Sequence, residues 1–339
     1  MADRATPVLL AVIAAVLGAA ALSLAGAVLA PVAFALFVIA LAWPVQEAVQ
    51  RRLGATLGLL AAMLAAMLCI MALALATGWA VARVGGWVAA NAGLLQALYL
   101  QNVAWLEARG FEGASELGGQ LDLRWLLRLA QNVTAQLQGS VSFAVVTIVF
   151  VILGLLEVEV VARQLVARGT PATMAVLGAA RESARKLRFY MLVRTVMSVL
   201  TGLAVWGFAR AVGLELAVEW GVIAFAMNYI PFIGPLVATL FPTLFAGLQF
   251  GSWQSAITVF AALQVIQFLS GSYIEPRVAG RSLALSPFMV LVAVFLGALL
   301  WGIPGALIGV PVLIALVTLL EHVPSGRFAA ALLSGRAPP

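Results

Sequence analysis

Polar side chains recur at helical spacing in an otherwise apolar stretch, where they could contact a solute. Gln264 and Gln267 lie three residues apart, and Gly271 and Glu275 follow at intervals of four. Residues at these intervals share one face of an α-helix. Amides in an apolar helix cost free energy unless they find partners, and they donate and accept hydrogen bonds without committing a charge. The face therefore suits a polyol or furanose, although hydrogen bonds to a neighbouring helix explain it equally well.

Residues beside helix breaks form a second candidate set. Asn228 precedes a break rich in Pro and Gly, where it could cap a half-helix or help unwound backbone to bind a ligand. Glu275 and Arg277 flank Pro276, which fits either a gate salt bridge or a proton carrier with its partner. With the two glutamines, these residues make up the predicted substrate pathway.

The other charges of the apolar stretches lie near the ends of those stretches. Arg194 shares a helical face with Ser198 and Thr201, and its position predicts that it snorkels to the cytoplasmic interface. No predicted span carries an acidic residue near its centre. This distribution favours a neutral solute over an ion exchanged through a buried carboxylate.

The composition indicates that the helices carrying these residues lie in a membrane. Of the 339 residues, 64% are hydrophobic and 9% are charged, whereas a soluble domain carries about 25% charged residues. The uncharged stretches are 5–46, 53–82, 129–156, 195–209, 220–274 and 282–320. A spanning helix needs about 20 apolar residues, and the alternating pattern of a barrel is absent. We therefore predict an all-α polytopic membrane protein.

The distribution of Lys and Arg predicts the topology, because these residues favour the cytoplasmic side. The most basic stretch, from Arg163 to Arg194, and both termini then lie in the cytoplasm. The net charge of +6 is interpreted as loop charge, so no nucleic-acid partner is expected. The predicted segments are three N-terminal spans in 1–82, a periplasmic amphipathic segment in 83–140, span four with a basic cytoplasmic loop in 141–189, an inverted-repeat transport domain in 190–322 and a cytoplasmic tail in 323–339.

Two apolar segments, 218–250 and 287–322, are interrupted by Pro and Gly, which predicts two re-entrant helical hairpins. With about six full transmembrane helices, the hairpins make eight hydrophobic segments. The residues assigned to the hairpin tips are Pro231, Gly234, Pro235, Gly302, Pro304, Gly305 and Pro311. Residues 190–250 and 253–322 repeat the order of span, linker and broken segment with opposite orientation. Such an inverted repeat is typical of secondary transporters.

Three sequence blocks resemble the signature of the autoinducer-2 exporter (AI-2E) family of bacterial inner-membrane proteins. The blocks are Asn-Tyr-Ile-Pro-Phe-Ile-Gly-Pro at 228–235, Ile-Glu-Pro-Arg-Val-Ala-Gly at 274–280, and Leu-Trp-Gly-Ile-Pro-Gly-Ala at 300–306 with Gly-Val-Pro at 309–311. The resemblance implies an inner-membrane transporter that forms homo-oligomers, pentamers in particular, with a moving domain built from the hairpins. It implies as substrate either autoinducer-2 or Na⁺ or Li⁺ exchanged for H⁺.

Residue counts exclude several other function classes. A single histidine, His322, excludes a His-Glu-x-x-His metalloprotease, and the sequence has no Gly-x-Ser-x-Gly motif or Walker loop. A single cysteine, Cys69, excludes a disulfide or a thiolate metal site within one chain. We expect no enzymatic activity, cofactor or metal. The hypothesis is export of a small polar, autoinducer-2-like signal across the lipid bilayer; the alternatives are Na⁺(Li⁺)/H⁺ antiport and a membrane scaffold that transports nothing.

Overall fold

The described part of the chain is almost entirely helical. The computed structural model describes residues 2–91, 93, 94, 96, 97, 101, 104, 107, 108, 123–279 and 285–335, with the backbone alone at 2–8, 11, 12, 15, 123–141 and 279. No β-strand occurs within these ranges.

The α-helices that the structure describes in full follow in chain order. They are α1 (Ala2–Leu24), α2 (Gly26–Leu53), α3 (Ala55–Ala90), α4 (Leu123–Arg168), α5 (Pro171–Ala211), α6 (Ala217–Met227), α7 (Ile233–Phe250), α8 (Trp253–Gln267), α9 (Glu275–Ala279), α10 (Pro287–His322) and α11 (Arg327–Ser334). A π-helical segment, Phe268–Ile274, joins α8 to α9. Seven helices in the described ranges are long and apolar enough to cross a membrane. The predicted all-α polytopic fold is confirmed.

Two helices extend beyond the predicted spans. The α3 helix extends past the end of the predicted N-terminal segment 1–82 to Ala90, and α4 begins at Leu123, before the predicted start of span four at residue 141. The sequence from Arg83 to Ala90 contains no proline, so nothing in it stops the helix where the apolar pattern weakens. The predicted segment 83–140 therefore includes helical extensions of both neighbouring spans, while its residues 109–122 lie outside the described residues. The assignment of 83–140 to the periplasm stays a prediction.

The chain divides into two compact units. The first unit comprises Met1–Ile70, Phe143–Leu192 and Ala279–Pro339, and the second comprises Met71–Ser142 and Val193–Val278. In the first unit, α2, α3 and α4 pack around a buried apolar core. Gln50 of α2 donates to the carboxylate of Glu159 on α4, with a distance of 2.9 Å from Nε2 to Oε1. Arg188 of α5 donates to the carbonyl oxygen of Ala40 at 3.0 Å.

The segment Pro287–His322 of the first unit folds back on itself at Trp301 and Gly302, whose backbone angles are not helical. A Cβ atom at Gly297 would meet the carbonyl oxygen of Gly305, and one at Gly309 would meet that of Ala293. A straight helix would hold these pairs about 12 and 24 Å apart. Residues 287–322 thus form an antiparallel pair of helical arms, here called the second hairpin.

In the second unit, α6 and α7 form the first hairpin, residues 217–250. A Cβ atom at Gly234 would meet the carbonyl oxygen of Met227, which shows how closely the two arms approach. The Trp220 and Phe245 rings of the two arms pack with centroids 5.2 Å apart. Near the open end, Arg83 of α3 pairs with the buried Glu219 at 3.1 Å. Both broken segments fold back as predicted, and the depth of their tips in a bilayer stays a prediction.

Candidate functional site

Arg194 and Glu275 form a salt bridge between α5 and α9. Nη1 of Arg194 lies 3.1 Å from Oε2 of Glu275 and 3.4 Å from the carbonyl oxygen of Asn228. Arg194 is only 8% exposed. The interpretation of Arg194 as a snorkelling residue is therefore wrong, because its buried guanidinium bonds to Glu275 and to the Asn228 carbonyl oxygen instead of extending away from the helices. One cation thus connects α5, α9 and the tip of the first hairpin.

Asn228 lies where α6 ends and the first hairpin turns. Its Nδ2 donates to Oγ of Ser198 on α5 at 3.2 Å, and both residues are buried. The carbonyl groups at a helix end lack intrahelical partners, so the bond from Arg194 satisfies the Asn228 carbonyl oxygen. The side chain therefore bridges to another helix instead of capping its own.

The backbone of the first hairpin tip is strained at Phe232. Its φ and ψ angles are +63° and −52°, and the amide of Ile233 donates to the carbonyl oxygen of Pro231 at 2.7 Å. This combination is a γ-turn of the rare form with positive φ. Strained backbone of this kind is frequent at ligand clamps and switch regions, and here it lies four residues from Asn228.

The two predicted glutamines lie in different environments. Gln267 is 9% exposed, and its Oε1 has no hydrogen-bond partner among the described residues. Gln264, three residues earlier, is exposed. The π-helical segment that follows Gln267 widens the helical turn and changes the register of the residues beyond it, including Glu275. The structure therefore divides the face predicted to hold Gln264, Gln267 and Glu275 together.

A second buried oxygen without a hydrogen-bond partner in the described structure belongs to Thr201 of α5, which is fully buried. Thr201 follows Arg194 on α5, about 10 Å further along the helix axis, and Gln267 precedes Glu275 across the π-helical segment. The two oxygens therefore belong to the two helical segments that the salt bridge joins. Such buried polar atoms call for a water, an ion or a solute.

Arg277 does not pair with Glu275. Its guanidinium carbon lies 3.4 Å from the centre of the Tyr273 ring, and its Nη1 donates to the Tyr273 carbonyl oxygen at 3.0 Å. The predicted gate between Glu275 and Arg277 is therefore not formed in this structure, and Arg194 takes the place of Arg277 as the partner.

The predicted tip residues shape the backbone of the two hairpins. In the first hairpin, Pro231 accepts the γ-turn hydrogen bond, while Gly234 permits the close approach to α6. In the second hairpin, Gly302 has a φ of +64° and Gly305 packs against Gly297. Pro235, Pro304 and Pro311 lie within the helical arms that follow the turns.

Arg194, the centre of this cluster, is absent from the predicted substrate pathway. Its partner Glu275 is 81 positions away, and no local pattern joins the two residues. The signal in the sequence is the spacing of Arg194, Ser198 and Thr201, which places a cation and two hydroxyls on one face of an apolar helix. An ionisable group on such a face pairs with an opposite charge or with backbone carbonyls, as Arg194 does.

Comparisons with known proteins support the resemblance noted in the sequence. The profile of the AI-2E family transporters matches residues 9–325. The AI-2 transport protein TqsA of Escherichia coli (strain K12) is 31% identical over 222 residues, which are 65% of this chain and 63% of that protein. The putative transport protein YhhT of the same strain is 31% identical over 144 residues, 42% of this chain and 41% of YhhT. A putative transport protein of Borreliella burgdorferi is 32% identical over 135 residues, 40% of this chain and 37% of that protein.

The matched regions span less than two thirds of each of these relatives. The family profile, in contrast, covers nearly the whole chain, including both hairpins and the Arg194 cluster. The family is one of transporters, which confirms the expectation that the protein is not an enzyme. The chain belongs to the AI-2E transporter family.

Proposed function

We propose that the protein exports a small polar solute by secondary transport along the polar cluster at the first hairpin tip. The observation that carries the proposal is the convergence of Arg194, Asn228 and Glu275 in an apolar helical unit. Polar and ionisable groups within membrane helices are expensive, and they mark substrate pathways by default. The partnerless oxygens of Thr201 and Gln267 on the same helical segments supply hydrogen-bonding capacity that the protein itself leaves unused.

The chemistry of the cluster favours an uncharged solute. The charges of Arg194 and Glu275 offset each other, and the remaining groups are hydroxyls and amides that suit a polyol or furanose. The name of the E. coli relative specifies AI-2 transport. An autoinducer-2-like signal is therefore the first solute to test, with Na⁺ and Li⁺ as the ions of the alternative hypothesis.

Movement of the first hairpin is the step that we propose for passage of the solute. Displacement of its tip would break the bonds from Arg194 to the Asn228 carbonyl and from Asn228 to Ser198. The strained γ-turn at Phe232 makes this tip a conformation of raised energy, which lowers the free energy needed to rearrange it.

The cellular setting of this transport is also a proposal. We place the protein in a bacterial inner membrane with both termini in the cytoplasm, supported by the Lys and Arg of the predicted inner loops. Assembly into a homo-oligomer, as a pentamer, follows from the family resemblance.

Flux measurements in proteoliposomes test the proposed pathway. Gln267→Leu removes the buried amide, and we expect it to reduce autoinducer-2 flux about tenfold, since losing a buried hydrogen bond costs roughly 1–3 kcal/mol. Gln264→Leu is the matched control, because it makes the same change at the exposed glutamine of the same helix. We expect this control to transport at the wild-type rate.

Three outcomes would contradict the proposal. Wild-type flux in both variants would remove Gln267 from the pathway. Movement of Na⁺ or Li⁺ against a proton gradient, without autoinducer-2 flux, would support the antiport alternative. Absence of all flux from correctly folded protein would support a scaffold.

A further inference from the structure

A second polar cluster lies in the first unit, where the end of the second hairpin meets the first half of α5. Its centre is Lys186, whose Nζ lies 3.0 Å from Oε1 of Glu182 and 2.8 Å from Oε2 of Glu321. The same nitrogen donates to Oγ1 of Thr318 at 3.2 Å. A lysine ammonium has three donors, so these three partners use all of them.

The other oxygen of Glu182 faces His322, the single histidine of the chain. Nε2 of the imidazole lies 3.5 Å from Oε2 of Glu182, and Nδ1 lies 2.9 Å from the carbonyl oxygen of Thr318. A carbonyl oxygen can only accept a hydrogen bond, so Nδ1 must carry the proton of the neutral ring. Nε2 of the neutral ring then presents a lone pair to a carboxylate.

Protonation changes this contact from unfavourable to favourable. An imidazolium carries a proton on each nitrogen, so Nε2 becomes a donor toward Glu182. A protonated His322 would add a cation beside the Glu182 carboxylate, which also pairs with Lys186. Histidine is also the side chain that ordinarily changes charge between about pH 5 and 8.

Other charged residues lie on the helices that pack next to His322 and Glu182. From α5, Arg185 is close enough to act on the charge of Glu182, and Glu321 precedes His322 on its own helix. The α2 and α11 helices also pack against α10. In α2, Arg51 pairs with Glu47 and Arg52 is exposed, and in α11 Arg327 is exposed.

We propose that His322 is a proton-binding site, and that its protonation joins the end of the second hairpin to α5 through Glu182. The site is separate from the Arg194 cluster, and the inference does not depend on what the protein transports. Both residues are about one third exposed or less, with side-chain exposures of 26% for His322 and 30% for Glu182.

Nitrogen NMR of ¹⁵N-histidine-labelled protein in nanodiscs tests the site directly, provided that the purification tag contains no histidine. Because the chain has one histidine, the signal needs no assignment. We expect the neutral ring at high pH to carry its proton on Nδ1. We also expect Glu182→Gln, which removes the carboxylate that Nε2 faces, to abolish the pH dependence of hydrogen exchange in residues 318–334.

Glu159→Gln is the matched control, since Glu159 lies in the same unit and bonds to Gln50 instead. It should leave that pH dependence unchanged. A neutral ring protonated on Nε2, or the same pH dependence of exchange in the wild type and Glu182→Gln, would overturn the proposal.

Hydrogen exchange gives an independent measurement of the link between the two helices. After correction for intrinsic rates, residues 318–334 should exchange more slowly at pH 6 than at pH 8 in the wild type. The difference should disappear in His322→Gln, whose amide cannot become a cation. Persistence of the difference in that variant would contradict the proposed role of His322.

Discussion

Two residues at the hairpin tips have backbone conformations that few amino acids adopt. Phe232 has positive φ in spite of its side chain, and Gly302 combines a φ of +64° with a ψ of −142°. The second combination is essentially restricted to glycine. At Phe232 the side chain raises the energy of the turn, whereas at Gly302 the absence of a side chain allows it.

Gly302→Ala tests the requirement at the second tip. We expect a loss of about 1–3 kcal/mol in the free energy of unfolding, because the backbone conformation strains any residue with a Cβ. No atom lies within 4 Å of that Cβ position, so steric contact contributes nothing. The measurement is an SDS titration in mixed micelles.

Gly207→Ala provides the control for this substitution. Gly207 lies inside α5, and its Cβ position is also open. Alanine is favoured over glycine within a helix, so stability should be unchanged or slightly higher. Equal stability of Gly302→Ala and Gly207→Ala would show that the second tip does not need glycine.

Glycines let the arms of the second hairpin pack backbone to backbone. Gly297 and Gly305 face each other across the two arms, and Gly309 faces Ala293. Contacts of this kind, through small residues, are how helices associate in lipid, where the hydrophobic effect does not drive helices together. The close approach also explains why a segment with such a high apolar content folds as two arms instead of one long helix.

Gly297→Ala should separate the two arms. The added methyl group would collide with the carbonyl group of Gly305, which is backbone and cannot rotate away. We expect a destabilisation of about 1–3 kcal/mol, typical of overpacking, in the same SDS titration. Gly86→Ala in α3, where the Cβ position is open, should have little effect. A Gly297→Ala protein as stable as Gly86→Ala would contradict the backbone contact between the arms.

At the scale of the whole molecule, the chain combines two compact units, and each unit contains one hairpin. The first hairpin follows α5 along the chain, and the second hairpin likewise follows the α8–α9 segment. The inverted repeat over 190–322, with its two halves in opposite orientations in the membrane, stays a prediction.

Cysteine labelling in intact cells tests that topology. In a Cys69→Ala background, Trp253→Cys lies at the start of α8 and Arg168→Cys at the end of α4. A membrane-impermeant maleimide should label the first variant in intact cells and the second only after permeabilisation, since basic loops stay in the cytoplasm. Labelling of Trp253→Cys from the cytoplasm alone would overturn the proposed orientation.

The sequence by itself determined the membrane class, the helical fold and the positions of both breaks. These features follow from local properties: apolar length, scarcity of charge, and the inability of Pro231 and Pro304 to donate a backbone hydrogen bond. The family was predicted separately, from the resemblance of the three sequence blocks at 228–235, 274–280 and 300–311. The local properties depend only on residues within a few helical turns of one another, so the sequence alone is enough to predict them.

Only the tertiary structure decided which polar residues meet. Spacing placed Gln264 and Gln267 on one face, but packing buried one and exposed the other. Spacing also put Arg277 beside Glu275, whereas the fold brought Arg194 to Glu275 from a distant helix. Such pairs depend on the way in which helices pack side by side. The periodicity of one helix carries no information about the residues that a distant helix presents to it.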